Sequence, residues 1–250
     1  MSGTRTELTL AIGFLTRLRL PPVDYSDAAM ARATRWYPCV AIAIGTALAL
    51  LFWGLSFVLP QALVALLTIA AGMLLTGALH EDGLADLADG LGGSADKDRA
   101  LEIMRDSRIG TYGVLALILT LAIKATALAM LPVPAAIVAL IAGHGLGRLS
   151  ILWLMDRLSY ARKTGAGDFM SDAPKPEKTI PIICLAAIIA LIATTLGPLS
   201  ATAVFLALAL LLALISNRLN TRLQGYTGDA LGASEQLTET LIPLVLLACL

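Results

Sequence analysis

From Cys39 onward the chain alternates between long apolar runs and polar connections. A bilayer-spanning helix needs roughly 20 predominantly apolar residues. Seven stretches meet or approach that length: Cys39–Leu59, Gln61–Leu79, Tyr112–Leu131, Pro134–Met155, Ile180–Gly197, Ser200–Ser216 and Gln236–Leu250, the last being short. Three joints are tight and each holds proline: Leu59-Pro60-Gln61, Leu131-Pro132-Val133-Pro134 and Gly197-Pro198-Leu199-Ser200. Proline suits such joints because it cannot extend a helix beyond its first turn. Ahead of the first run, Thr6–Leu20 is apolar but short and interrupted by Arg17 and Arg19. It reads as an amphipathic helix lying in the membrane interface. The pattern predicts an all-α fold: a polytopic integral membrane helix bundle of about seven transmembrane helices plus an N-terminal interfacial helix.

Composition agrees. The 250 residues are 58% hydrophobic and 14% charged, with mean hydropathy +0.82, whereas a soluble domain is about 45–50% apolar and about 25% charged. Net charge is zero, so no nucleic-acid partner is expected. No charged-then-apolar segment with a small-residue cleavage site opens the chain, so no removable signal peptide is expected. Cys39, Cys184 and Cys249 are scattered and show neither a disulfide framework nor metal-ligand spacing.

Charge placement orients the bundle. Of the 18 Lys and Arg, all but Lys124 and Arg148 lie before Cys39 or in His80–Thr111, Asp156–Thr179 and Asn217–Glu235, and the three tight joints have none. Basic connections belong in the cytoplasm, which puts the amino terminus there and, with an odd helix count, the carboxyl terminus outside. The acidic residues follow the same split if Glu239 lies near the cytoplasmic end of its helix. Nearly all polar chemistry then faces one side. That suits an enzyme at the inner face better than a transporter, whose site lies near the midplane. The chain reads as a single membrane-embedded catalytic domain, 1–250. Residues 1–38 form its cytoplasmic and interfacial segment, and 80–111 a cytoplasmic acidic loop carrying the chemistry.

That loop opens with HEDGLADLADG (His80–Gly90), read as a continuation of the second helix. At about 100° per residue, Asp86 lies about 40° from Asp82 and Asp89 about 20° to its other side, so the three share a stripe. Glu81 lies about 100° away and needs a neighbouring element to join them. Clustered carboxylates repel one another unless a cation neutralises them, and hard oxygen ligands favour Mg²⁺ or Mn²⁺. Downstream, ALEIMRDSRIGTYG (Ala100–Gly113) adds Arg105, Asp106 and Arg108. Asp106 is placed to extend the metal shell, and the arginines to hold phosphate oxygens. Acids that bind divalent metal beside arginines suit phosphoryl-group transfer. The D-x-x-D-G at Asp86–Gly90 also opens the motif of the CDP-alcohol phosphotransferases, but the rest of that motif is missing. The other alternative, a cation transporter, requires acids at bilayer depth.

The complete stretch HEDGLADLADGLGG, followed by EIMRDSRIGTYG, is more specific. It resembles the signature of the adenosylcobinamide-GDP ribazoletransferase, or cobalamin synthase, family, and the resemblance covers nearly the whole chain. FLTRLRLP (Phe14–Pro21) is similar to the family's Phe-Leu-Thr-Arg-Leu-Pro, with Arg19-Leu20 extra. Tyr37-Pro38 with Gly45 is similar to its Phe-Pro…Gly. Arg148 followed by YARKTGAG (Tyr160–Gly167), and YTGDALGASEQLTE (Tyr226–Glu239), resemble later segments.

The resemblance implies transfer of the adenosylcobinamide phosphate group to α-ribazole or its 5′-phosphate, with GMP released and Mg²⁺ (or Mn²⁺) as cofactor. It implies a bacterial inner (cytoplasmic) membrane location, multi-pass, with membrane lipid as partner and a homo-oligomer or a complex with other corrinoid enzymes compatible with it. On that basis Asp82, Asp86, Asp89 and Asp106 are catalytic. With Glu81 they form the metal set. Arg105, Arg108, Arg148, Arg162 and Asp229 bind substrate. Lys124 and Arg148 sit inside apolar runs, where ionisable groups are costly; Lys124 has either a partner across the bundle or a substrate role. His144 reads as a packed helix residue, and Gly143, Gly145 and Gly147 as points of close helix approach.

Overall fold

The computed structural model describes residues 3–162 and 177–250. Among the described residues there are eleven α-helices and no strands: α1 Gly3–Leu15, α2 Asp27–Ala33, α3 Tyr37–Leu55, α4 Gln61–Thr76, α5 Leu79–Gly93, α6 Lys97–Ile103, α7 Thr111–Met130, α8 Val133–Arg157, α9 Thr179–Leu196, α10 Pro198–Leu223 and α11 Gly228–Cys249. Prolines sit at the start of α8 and α10 as expected, because the first turn needs no N–H donor from them.

Five helices are long and apolar enough to cross a membrane: α2–α3 together, α7, α8, α9 and α10. Counting the bent pair α4–α5 as one span makes six. The seventh predicted run falls in α11, which interrupts its apolar sequence with Asp229, Glu235 and Glu239.

The centre is α8. Its apolar window is 78% buried, against 22–28% for α7, α9 and α10, whose outward faces leave Ile118, Leu119, Ile182 and Leu210 exposed. Those faces suit lipid, which is as apolar as leucine. The closest packing runs α3 on α8, α8 on α11 and α11 on α5. Small residues permit it: a Cβ on Gly45 would lie 2.7 Å from the Leu140 carbonyl, and one on Gly147 3.1 Å from the Glu235 side chain.

The expectation that helix α4 simply continues through the acidic loop is corrected here. Gly77 (φ 73°) and Ala78 (φ 55°) both adopt left-handed backbone, and α5 leaves α4 at 92°. Gly77 takes that conformation freely, while Ala78 carries strain. The Ala78 N–H donates to the Met73 carbonyl and the Arg17 N–H to the Leu75 carbonyl, so two of the last four carbonyls of α4 gain partners.

Candidate active site

Helix α5 carries the aspartate stripe, and α11 begins beside it. The approach is close because both helices lack side chains at the crossing: a Cβ on Gly83 would stand 2.9 Å from the Asp229 carbonyl, and one on Gly232 3.2 Å from His80 backbone. Asp229 lies in the first turn of α11, after the N-cap Thr227, whose hydroxyl accepts from the Ala230 N–H. A short bridge joins Tyr160 to Tyr226, with the Ala161 N–H donating to the Tyr226 carbonyl at 2.8 Å. It brings Arg162 to Asp229, and the guanidinium donates to the carboxylate at 2.6 Å. Lys163 to Gly167 of the predicted glycine-rich segment lie outside the described residues.

Asp82 is exposed and Asp86 half-buried. Burial pushes Asp86 up from 3.8 to about 6, the Asp82 and Asp229 charges raise it further, Arg162 opposes them, and Asp89 adds a smaller repulsion. Asp229 is also raised, by burial first, against the pull of Arg162. Asp82, Asp86, Asp229 and Arg162 therefore act on one another electrostatically and form one acidic face. A cavity of about 100 Å³ opens there, lined by Asp82 and Asp229 together with Phe14, Tyr37, His80 and Met155.

The remaining predicted ligands sit differently. Asp89 is buried and accepts two backbone bonds, from Gly110 N–H at 2.7 Å and Gly113 N–H at 2.9 Å. It caps the amino terminus of α7, where the N–H groups of the first turn lack helical partners. Asp106 pairs with Arg108 at 2.6 Å on the surface, and that guanidinium holds its carboxyl down at about 2. Arg105 is exposed.

Glu81 and Arg148 belong to a second cluster, buried between α5, α7, α8 and α11. Arg148, 1% exposed, donates to Glu239 at 2.6 Å and also to Glu235. Glu239 further binds Lys124 and His144, and Gln236 donates to Glu81 at 3.1 Å. His80 closes the cluster against Arg148 at 3.4 Å. The space left is about 20 Å³, room for about one water molecule. Lys124 thus has its partner across the bundle.

Two expectations change. Glu239 is not near the end of its helix but midway along α11; it meets Lys124, about 20 Å along α7 at 1.5 Å per residue. Acids therefore do occur midway along the bundle; Glu235 and Glu239 are paired with cations as burial demands, whereas Glu81 accepts from the Gln236 amide. Among the described residues, only His144, Glu235 and Glu239 bring three potential metal-ligand atoms within 4.8 Å of one another. Arg148 and Lys124 already neutralise that trio.

Glu235, Gln236 and Glu239 went unrecognised as a site in the sequence. The available signal was Glu235 and Glu239, four residues apart on one helix face, set against two cations inside other apolar runs.

Residues 7–247, nearly the whole chain, match the family described as Cobalamin-5-phosphate synthase. The chain belongs to this family. Among relatives, an adenosylcobinamide-GDP ribazoletransferase from Shewanella amazonensis is 35% identical over 99% of this chain and 98% of its own length. Proteins of the same name from Sinorhizobium medicae and Bradyrhizobium diazoefficiens are 39% and 43% identical, covering 94% and 96% of this chain and 94% and 92% of their own lengths. No solved structure matches the chain. In this member of the Cobalamin-5-phosphate synthase family the acidic face lies where α4 breaks into α5, and the buried cluster lies behind it, with His80 lining both spaces.

Proposed function

We propose that the chain transfers the adenosylcobinamide phosphate group from adenosylcobinamide-GDP to α-ribazole, or to its 5′-phosphate, and releases GMP. The family and the named activity of its relatives support the reaction; the carrying observation is the acidic face, where Asp82 and Asp229 line one cavity and Arg162 binds Asp229. Hard oxygen donors on one face suit a divalent cation, although Asp82, Asp86 and Asp229 stand further apart than the 4.8 Å within which ligand atoms converge at His144, Glu235 and Glu239. Asp82 and Asp86, with Asp229 beside them, would hold Mg²⁺ or Mn²⁺. When bound, the ion supplies charge neutralisation to the diphosphate.

The residues of the chain account for the rest. A ribose hydroxyl of the acceptor forms the new P–O bond at the cobinamide-side phosphorus, and the bond from that phosphorus to the oxygen it shares with GMP breaks. A carboxylate of this face takes the hydroxyl proton. Arg162 is poised at the face to meet phosphate oxygens in exchange for Asp229. Asp89 supports the site by fixing α7 to α5.

The same reading places the protein in the bacterial inner membrane as one catalytic domain. α4, from which α5 turns away at 92°, and α11 bring the crossings to seven, α1 lies in the interface, and the acidic face on α5 and the amino-terminal segment are cytoplasmic. The basic connections support this orientation.

The test is Mg²⁺-dependent GMP release by the detergent-purified protein. Asp82→Asn should lower turnover at least about a hundredfold, the scale of losing one electrostatic contact to a transition state, while the protein still inserts. Wild-type-like turnover by that variant would remove Asp82 from the site, and turnover unchanged by chelator would remove the metal.

A further inference from the structure

The acidic face has an aromatic wall to which the reaction above assigns no role. Phe14, near the end of α1, and Tyr37, the first residue of α3, stack with ring centroids 5.6 Å apart and planes 6° apart. Both line the cavity that Asp82 and Asp229 line. Phe14 remains 39% exposed, whereas Tyr37 is 2% exposed. The Tyr37 hydroxyl is buried with no hydrogen-bond partner among the described residues. Such a group is costly to leave unpaired and gains from a ligand that supplies a partner.

One small space therefore offers an aromatic face, an unsatisfied hydroxyl and two carboxylates. That combination suits a nucleoside: a planar heterocycle against the rings and sugar hydroxyls toward the carboxylates. Covalent structure decides which nucleoside. In the acceptor, base and attacking hydroxyl sit on the same ribose, so they fit within one small cavity. In the donor, the guanine is separated from the reacting phosphorus by a ribose and a further phosphate, and its ribose carries no reacting hydroxyl. We propose that Phe14 and Tyr37 seat the heterocyclic base of the acceptor nucleoside and so turn its ribose hydroxyl toward Asp82 and Asp229. The assignment rests on the ribazole-transfer reading and names two residues that set its acceptor specificity.

Two measurements test it: calorimetric titration of α-ribazole without donor, and steady-state GMP release with each substrate varied in turn. Phe14→Leu keeps an apolar side chain without a ring. It should weaken α-ribazole binding and raise the KM for α-ribazole by about tenfold, the order of one lost base–aromatic stack. The KM for adenosylcobinamide-GDP should stay unchanged, and Phe14→Trp should restore the wild-type values. Tyr37→Phe, which retains the stack, should show a smaller loss confined to α-ribazole. An effect falling on adenosylcobinamide-GDP instead overturns the assignment in favour of guanine, and unchanged values in Phe14→Leu overturn it outright. If the wild type releases GMP and the variants match it, the seat fails and the reaction stands. If the wild type binds α-ribazole through Phe14 but never releases GMP, the reaction fails and the seat stands.

Discussion

Asp86 shows how one carboxylate reports on its surroundings. Its folded-state value of about 6 exceeds the ordinary 3.8, so folding favours its protonated form. That contribution is present in full below pH 3.8 and is lost as pH rises through 6. In cation-free detergent solution, Asp86→Asn should therefore gain stability relative to wild type between those limits, the gap in unfolding temperature staying open at pH 7. Added Mg²⁺ should close that gap by stabilising only the wild type. A constant difference from pH 4 to 7 would mean that neither burial nor the neighbouring charges raise Asp86. The stripe itself was legible, because helical spacing alone aligns Asp82, Asp86 and Asp89. The displacement of Glu81 from that stripe was legible too, but the group it meets, Gln236, lies 155 positions away and left no local trace.

At the level of helices, Asp89 separates what spacing places from what packing uses. It lies on the aspartate stripe, yet its two oxygens accept the Gly110 and Gly113 N–H groups. Those glycines leave room for it: a Cβ on Gly110 would meet Asp89 Oδ1 at 2.5 Å. Asp89→Asn presents an amide N–H where an acceptor is needed, so thermal unfolding in detergent should show a loss of about 1–2 kcal/mol even without Mg²⁺ or substrate. Full stability combined with lost metal dependence would make Asp89 a ligand instead. The break between α4 and α5 belongs to this scale as well. A run of apolar residues passing into LHEDG reads as one helix by propensity. Gly77 permits the turn, but the reason Ala78 tolerates left-handed backbone lies in the satisfied carbonyls around it and not in its residue type.

Across the whole bundle, the buried cluster joins four helices through opposite charges. Removing Arg148 leaves Glu235 and Glu239 short of a cation in an interior that cannot solvate them, a loss of about 3–5 kcal/mol for comparable buried pairs. Arg148→Met should accordingly unfold at markedly lower temperature in detergent with no substrate present. A variant of normal stability but weakened affinity for adenosylcobinamide-GDP would restore the substrate role the sequence suggested for Arg148.

The all-helical membrane class, most helix positions and the acidic stripe were readable from the chain because each depends on local periodicity and hydropathy, which neighbouring residues carry. Partner choice was not. Glu239 meets Lys124 midway along the bundle, Asp89 meets α7, and Asp229 faces Asp86, because helix crossings at Gly83, Gly147 and Gly232 bring distant segments within reach. A buried charge takes whichever opposite charge or N–H donor the packing delivers, and that depends on the path of the folded chain through space.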